Sequence, residues 1–396
     1  MPQSRETSVL ITVTGRDKPG ITARLTGILA EQEVQLLDIE QVVVQGRLTL
    51  CLLVQLPETR GILKELLFAA KELGVDLDFE SLEGSSADKV NVQRYVVTAI
   101  GKSLGARELQ VLSSALAQHG GNIEKIFKLS GGALRSLEIH LGLPSATDPD
   151  VVKRELLGLA MRTGSFDVAL QRESLYRRSK RLVVMDMDST LIRIEVIDEL
   201  ARAHGVVDQV AKITERAMQG EMDYDESLRQ RLALLSGLDV SVLQKIAAEL
   251  PLTEGAENLI RVLKRLGYRT AVISGGFSIA AEALKARLGI DYAFANTLEI
   301  QNGKLTGRVV GGIVNAQRKA ELMEALAQAE GVLLDQVIAV GDGANDLLML
   351  QRAGLGIAFR AKQKLREAAD TSLSASGLDA ILYLLGISAR EVQEVM

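Results

Sequence analysis

The chain has 396 residues, of which 47% are hydrophobic and 24% charged, with a formal net charge of −5. That length suits two to four globular domains with ample cores, and a net negative chain with no long basic run excludes nucleic acid as the expected partner. No uninterrupted apolar stretch is long enough to span a bilayer, so no membrane partner is expected either. The opening residues Met1 to Glu6 carry no apolar segment of the secretory kind, which points to the cytoplasm.

Val9 to Val13 is a short β-branched run, read as a strand. Gly15-Arg16-Asp17-Lys18-Pro19-Gly20 then forms a turn, and Ile21 to Gln32 has helical apolar spacing at Ile21, Leu25, Ile28 and Leu29. Strands follow at Leu36 to Val44 and Leu48 to Gln55, then a helix at Arg60 to Leu73 and a strand at Asp76 to Leu82. Cys51, the only cysteine, falls in the third of these strands and reads as a buried structural thiol. With no disulfide to form, it again fits a reducing compartment. The order βαββαβ describes a ferredoxin-like unit over residues 7–85.

Residues 93–172 repeat that order. Arg94 to Ile100 is a strand, Gly101-Lys102-Ser103-Leu104-Gly105 a shorter turn, and Ala106 to His119 a helix. Strands at Ile123 to Leu129 and Arg135 to Leu141, a helix at Pro149 to Gly164 and a strand at Asp167 to Gln171 complete it. Gly84 to Asp88 links the two units. Both resemble ACT domains, small-ligand sensors attached to amino-acid enzymes, on the strength of the Gly15 to Ile21 turn; the second unit keeps Gly101 and Gly105 and lacks the Asp-Lys-Pro. A glycine-rich strand-to-helix turn exposes N–H groups suited to a carboxylate. The resemblance implies an amino-acid effector, serine foremost, at a seam near Asp17, Gly20 or Gly105, and a homodimer formed by covering sheet edges. A pair of passive dimerisation modules is the plainer alternative.

Arg177-Arg178-Ser179-Lys180-Arg181 reads as a solvated basic connector. Beyond it strands and helices alternate, which predicts an α/β fold with a doubly wound, mostly parallel sheet. Leu182 to Met185 is a buried-type strand running into Asp186-Met187-Asp188-Ser189-Thr190, and alternate residues of an extended segment converge on one site. Thr270 to Ile273 is a second strand, ending in Ser274-Gly275-Gly276; a hydroxyl and glycine-exposed N–H groups suit a phosphate. Lys319 sits on a helix beginning near Asn315, where a lone lysine is usually just solvated. Val337 to Val340 leads into Gly341-Asp342-Gly343-Ala344-Asn345-Asp346, with Asp342 and Asp346 on one side of a helix start. Clustered carboxylates with no His or Cys are ligands for a hard cation, and Mg²⁺ is the natural choice. The histidines, His119, His140 and His204, lie in no motif and read as structural.

Four such elements in this order resemble the haloacid dehalogenase superfamily over residues 180–396. The resemblance implies a hydrolase core in which Asp186 is the nucleophile, forming an aspartyl-phosphate, and Asp188 the general acid and base. It implies Mg²⁺ on Asp186, the Met187 carbonyl and Asp342, with Asp346 supporting and Asp188 adjacent without being a required ligand. Ser274, Gly275, Lys319 and Asn345 would hold the phosphate, and Thr190 the loop after Asp188.

The helical pattern between the first two motifs, at about 198–256, resembles the small cap of that superfamily. Just before it and within it the chain is similar to the phosphoserine phosphatase family, in Thr190 to Glu195 and Ser227 to Arg231. That likeness implies hydrolysis of O-phosphoserine to serine and phosphate, the last step of serine biosynthesis. Glu195 would take the ammonium, Arg231 the carboxylate, and Met218 would form an apolar wall. Arg229 is a local rival of Arg231. Gln301 to Lys304 has the Asn-Gly of a two-residue hairpin turn. The competing functions are a phosphotransferase, or a phosphatase acting on another small metabolite, and a non-catalytic amino-acid sensor. The intact acidic residues and Lys319 argue against the sensor.

Overall fold

The computed structural model describes residues 7–56, 61–82, 92–133, 135–374 and 376–396. The linker at Gly84 to Asp88 and the last residues of the 7–85 unit lie outside them. Two compact units emerge, Met1–Val90 and Asn91–Met396.

In the first unit β1 (Thr7–Arg16), α1 (Ile21–Glu31), β2 (Gln35–Val44), β3 (Arg47–Leu56), α2 (Gly61–Leu73) and β4 (Val75–Ser81) follow the expected order. Their antiparallel sheet runs β2-β3-β1-β4. Alternation does the sorting here: in β3 every second residue from Leu48 to Leu56 is buried, against Ile21, Leu25 and Ile28 of α1 and Ile62 and Leu66 of α2. β1 reaches Arg16, two residues into what the sequence presents as turn, because Gly15 and Arg16 still pair with Leu48 and Arg47.

The second unit opens with β5 (Val92–Gly101), α3 (Ala106–Gln118), β6 (Asn122–Lys128), β7 (Ser136–Pro144), α4 (Pro149–Thr163) and β8 (Phe166–Arg172). A short α5 (Leu175–Arg178) leads to β9 (Leu182–Met185). The cap helices follow: α6 (Val196–His204), α7 (Val207–Met218), α8 (Tyr224–Ala233) and α9 (Val240–Ala248). The core resumes with α10 (Ala256–Arg265), β10 (Arg269–Phe277), α11 (Ser278–Leu288), β11 (Tyr292–Gln301), β12 (Lys304–Val310) and α12 (Ala316–Ala329). It continues through β13 (Val337–Gly341), α13 (Leu347–Arg352), β14 (Leu355–Phe359) and β15 (Thr371–Leu373). Strands β11-β10-β9-β13-β14-β15 are parallel throughout, and β12 is the antiparallel arm of a hairpin turning at Asn302 and Gly303, both with positive φ. The fold is α/β, a Rossmann-like parallel-sheet core preceded in the chain by two ferredoxin-like units.

The ferredoxin-like strands of the second unit and the core strands form one sheet of 11, joined where β15 meets β8 antiparallel at Thr371 and Ala169. The Thr371 hydroxyl donates to the Val168 carbonyl, the Ser374 N–H to Asp167, and Lys153 pairs with Asp370 at 2.8 Å. The basic connector is not solvated throughout. Arg177 and Lys180 are buried: Arg177 is gripped by Glu138 of β7, itself 1% exposed, and Lys180 donates to the Asp335 carbonyl. Local composition reads as a surface run, but a buried carboxylate from another strand outweighs it.

Candidate functional site

Asp186 caps the end of β9, and its Oδ1 accepts the Met187 N–H at 2.8 Å. The chain then turns sharply, with Ser189 in the left-handed region at φ 55°. That turn sends Asp188 back toward β10 and the start of α6, where its Oδ1 accepts the Val196 N–H at 3.0 Å. Its Oδ2 lies 3.5 Å from the Ser274 hydroxyl. Asp188 is buried, and that burial, reinforced by the charges of Glu195 and Asp186, raises its pKa well above the ordinary carboxylate range.

Lys319 is not solvated. It is fully buried on α12, its Nζ 2.8 Å from Asp186 Oδ1 and 2.7 Å from Asp346 Oδ1. Both carboxylates hold it charged: its pKa is raised although burial alone would lower it. Asp342 follows β13, and its Oδ1 accepts from the Thr190 hydroxyl at 3.3 Å. Thr190 thus ties the first loop to the fourth. Asp346 is buried at the end of a single 3₁₀ turn, Ala344–Asp346, and its Oδ2 accepts the Gly343 N–H at 3.0 Å. Asn345 lies alongside, since a Cβ on Gly343 would stand 2.3 Å from its Oδ1. Burial, with Asp186 adding to it, pushes Asp342 up to about 8 and Asp346 up to about 6.

One oxygen each of Asp186, Asp342 and Asp346 lies within 4.8 Å of the other two. Three carboxylates so close, two of them displaced upward, form an all-oxygen donor set that fits a hard divalent cation.

The phosphate-type loop leaves β10 with the Gly276 N–H donating to Ser274 Oγ at 2.9 Å. A side chain on either glycine would displace a site residue: a Cβ on Gly276 would meet Asp188 Oδ2 at 2.4 Å, and one on Gly275 would meet the Tyr224 hydroxyl at 2.1 Å. Glu195 stands at the N-cap of α6 and accepts from the Ser189 hydroxyl at 2.7 Å. Burial raises its pKa. Arg231 is half-buried near the end of α8, where its Nε donates to the Ser227 carbonyl and its charge acts on Glu195 and Asp198. Arg229, its rival, is exposed and lies near Glu226. Met218 ends α7; its side chain lies outside the described residues.

Two residues of this site carry no motif: Tyr224, at the first turn of α8, and Asn296, on β11. Both donate to the Gly275 carbonyl, at 3.2 Å and 2.8 Å. Asn296 follows directly on the apolar run Tyr292 to Ala295 of its strand, which is a signal of sorts; Tyr224 offers none.

In the ACT units Gly20 is the N-cap of α1 at φ 96°, a conformation that favours glycine, and the Asp17 N–H donates to Gly46. At the matching turn of the second unit the Gly105 N–H is already taken, at 2.9 Å, by Glu108. Elsewhere a cavity of about 530 Å³ lies where β8 and α5 meet the core, lined in part by Arg172, Lys180 and Asp370 and by none of the acidic cluster. Among the described residues no helix is long and apolar enough to cross a membrane.

A Rossmann-like core, a helical cap and carboxylates gathered at strand ends define a hydrolase of the haloacid dehalogenase type. A family model for haloacid dehalogenase-like hydrolases matches residues 180–354, and two ACT-domain models match 7–80 and 94–171. A phosphoserine phosphatase of Streptomyces coelicolor is 44% identical over 98% of this chain and 94% of its own length. One from Mycobacterium tuberculosis is 42% identical, covering 98% of this chain and 95% of that protein. The crystal structure of a haloacid dehalogenase family hydrolase from Salmonella enterica serovar Typhi superposes with a TM-score of 0.64. It is 31% identical and covers 74% of this chain and 98% of that one. The chain belongs to the phosphoserine phosphatase family.

Proposed function

We propose that the chain hydrolyses O-phosphoserine to serine and inorganic phosphate through an aspartyl-phosphate on Asp186, closing serine biosynthesis in the cytoplasm. The observation that carries this is the pairing of Asp186 with buried Lys319 beside an Asp188 whose pKa is raised. One carboxylate is ready to attack and its neighbour holds a proton to give.

Lys319 and the Met187 N–H both engage Asp186 Oδ1, which leaves Oδ2 to attack phosphorus. As that bond forms, the bond from phosphorus to the serine oxygen breaks, and Asp188 delivers its proton to the leaving oxygen. Asp188, now ionised, takes a proton from water as the water oxygen attacks the phosphoryl group. The bond to Asp186 breaks, phosphate departs, and both carboxyls return to their starting states. Lys319, Ser274, Asn345 and the N–H groups at Gly275 and Gly276 hold the phosphoryl oxygens as charge shifts. Asp186, Asp342 and Asp346, with the Met187 carbonyl, would hold Mg²⁺, which would neutralise the negative charge gathered there.

Glu195 receives the substrate ammonium and Arg231 its carboxylate, with Met218 as an apolar wall. The position of Glu195 at the N-cap of α6 and the charge of Arg231 close to it support that division. In the ACT units an amino acid, serine foremost, binds at the Asp17–Gly20 turn. Gly105 is the weaker candidate, because Glu108 already occupies its N–H. The chain works as a homodimer. The test is phosphate release from O-phosphoserine with Mg²⁺ and with EDTA; no release in either condition refutes the proposal. Calorimetry with serine, and light scattering of the full chain, test the effector and the dimer.

A further inference from the structure

The Gly275 carbonyl is an acceptor with two donors, one from the core and one from the cap. Asn296, 2% exposed on β11, donates its Nδ2 at 2.8 Å, and its amide orientation is set because its Oδ1 accepts the Val314 N–H at 2.8 Å. Tyr224, on cap helix α8, donates its hydroxyl at 3.2 Å. Burial pushes that hydroxyl up to about 12, so it stays a donor at neutral pH.

A peptide unit is planar and trans, so its C=O and N–H point in opposite directions. Holding the Gly275 oxygen from behind therefore aims the Gly276 N–H forward, to the side where Ser274 Oγ and Asp188 Oδ2 lie. A Cβ at either position would force Tyr224 on one side or Asp188 on the other to shift. Glycine also leaves this peptide free to rotate unless something outside it sets its orientation. The core supplies one clamp permanently. The second comes from the cap, because Tyr224 belongs to α8.

We propose that Tyr224 is a positioning residue: through its hydroxyl, closure of the cap completes the clamp on the Gly275–Gly276 peptide and so orients the N–H that receives a phosphoryl oxygen. The inference rests on the phosphatase reading of the site. It makes the assembly of the phosphate subsite a consequence of closure. Without Tyr224 the Gly275 carbonyl is held by Asn296 alone, while the Gly276 N–H rests on Ser274 Oγ, so the second donor on the carbonyl fixes the direction from which that N–H, shared with Ser274, meets a phosphoryl oxygen as water is excluded.

The test is Tyr224→Phe, which keeps the ring and its packing and removes only the donor. Three readouts are taken with Mg²⁺: turnover of O-phosphoserine, turnover of p-nitrophenyl phosphate, and affinity for orthovanadate by thermal shift. Loss of one neutral hydrogen bond should lower kcat by about fivefold to tenfold on both esters, leave KM within about twofold, and weaken orthovanadate binding by a similar factor. The melting temperature without ligand should match wild type. Equal loss on both esters locates the effect at the phosphate rather than at the amino-acid end. Unchanged kcat together with unchanged orthovanadate affinity overturns the proposal. So does a loss confined to phosphoserine, or one appearing in KM alone. Failure of the phosphoserine reading is separable: wild type would then turn over p-nitrophenyl phosphate, or bind orthovanadate, without acting on phosphoserine, and the ratio of variant to wild type would still report on Tyr224.

Discussion

Replacing Asp342 with Asn should stabilise the metal-free protein and remove its response to Mg²⁺. Burial, together with the charges of Asp186 and Asp346, pushes Asp342 up to about 8 from an ordinary value of 3.8. At pH 7 the unfolded chain has lost this proton and the folded chain holds it. Stability therefore falls as pH rises from about 4 to about 8, and the penalty is complete above about 8. Over the interval to pH 7, at about 1.36 kcal/mol per unit, the cost of folding is about 4 kcal/mol. Asparagine carries no charge, and its amide oxygen still accepts from Thr190, so the variant escapes this cost without losing the tie between the two loops. The assay is thermal unfolding of wild type and Asp342→Asn at pH 5 and pH 8, in EDTA and in Mg²⁺. In EDTA at pH 8 the variant should melt several degrees above wild type; at pH 5 the gap should narrow sharply. Mg²⁺ should raise the wild-type melting point and leave the variant nearly unmoved. A variant no more stable than wild type in EDTA at pH 8, or one with full response to Mg²⁺, would refute the reasoning.

Asp186→Asn should abolish turnover of O-phosphoserine while the circular dichroism spectrum stays native; activity near wild type would exclude Asp186 as nucleophile. Arg231→Ala should cost on the order of 1.5–3 kcal/mol in kcat/KM on O-phosphoserine, and much less on an ester with no carboxylate. Equal losses on the two would place Arg231 in the general architecture of the cap. Arg177→Ala leaves Glu138, 1% exposed, with His140 and the exposed Arg178 as its ion-pair partners among the described residues, and should destabilise the second unit by about 3 kcal/mol in urea unfolding. A variant as stable as wild type would show that the buried pair contributes nothing beyond its own desolvation.

The pieces of the site that were legible in the chain are those whose chemistry is written in local spacing. Asp186 and Asp188 are two apart at the end of an apolar strand, Ser274-Gly275-Gly276 follows another, and Asp342 and Asp346 flank the turn after a third. Backbone geometry within a few residues is enough to bring such groups to the carboxyl ends of parallel strands. The ferredoxin-like repeats were legible for the same reason, since alternation along β3 and helical spacing along α1 each depend only on neighbours in the chain. The tertiary structure alone decided which charges are buried and what they face. Lys319 is a surface-type residue by its own helix, and becomes the counter-ion of Asp186 and Asp346 only because β9, α12 and β13 pack together. Arg177 and Lys180 belong to a run that reads as solvated, yet they are enclosed by Glu138 and the Asp335 carbonyl, each contributed by a distant segment. Tyr224 meets Gly275 across 51 residues of chain, and no pattern in either segment announces the other. Periodicity tells a residue which face it is on; only packing tells it which partner waits there, because the partner comes from a part of the chain whose distance in sequence carries no information about its distance in space.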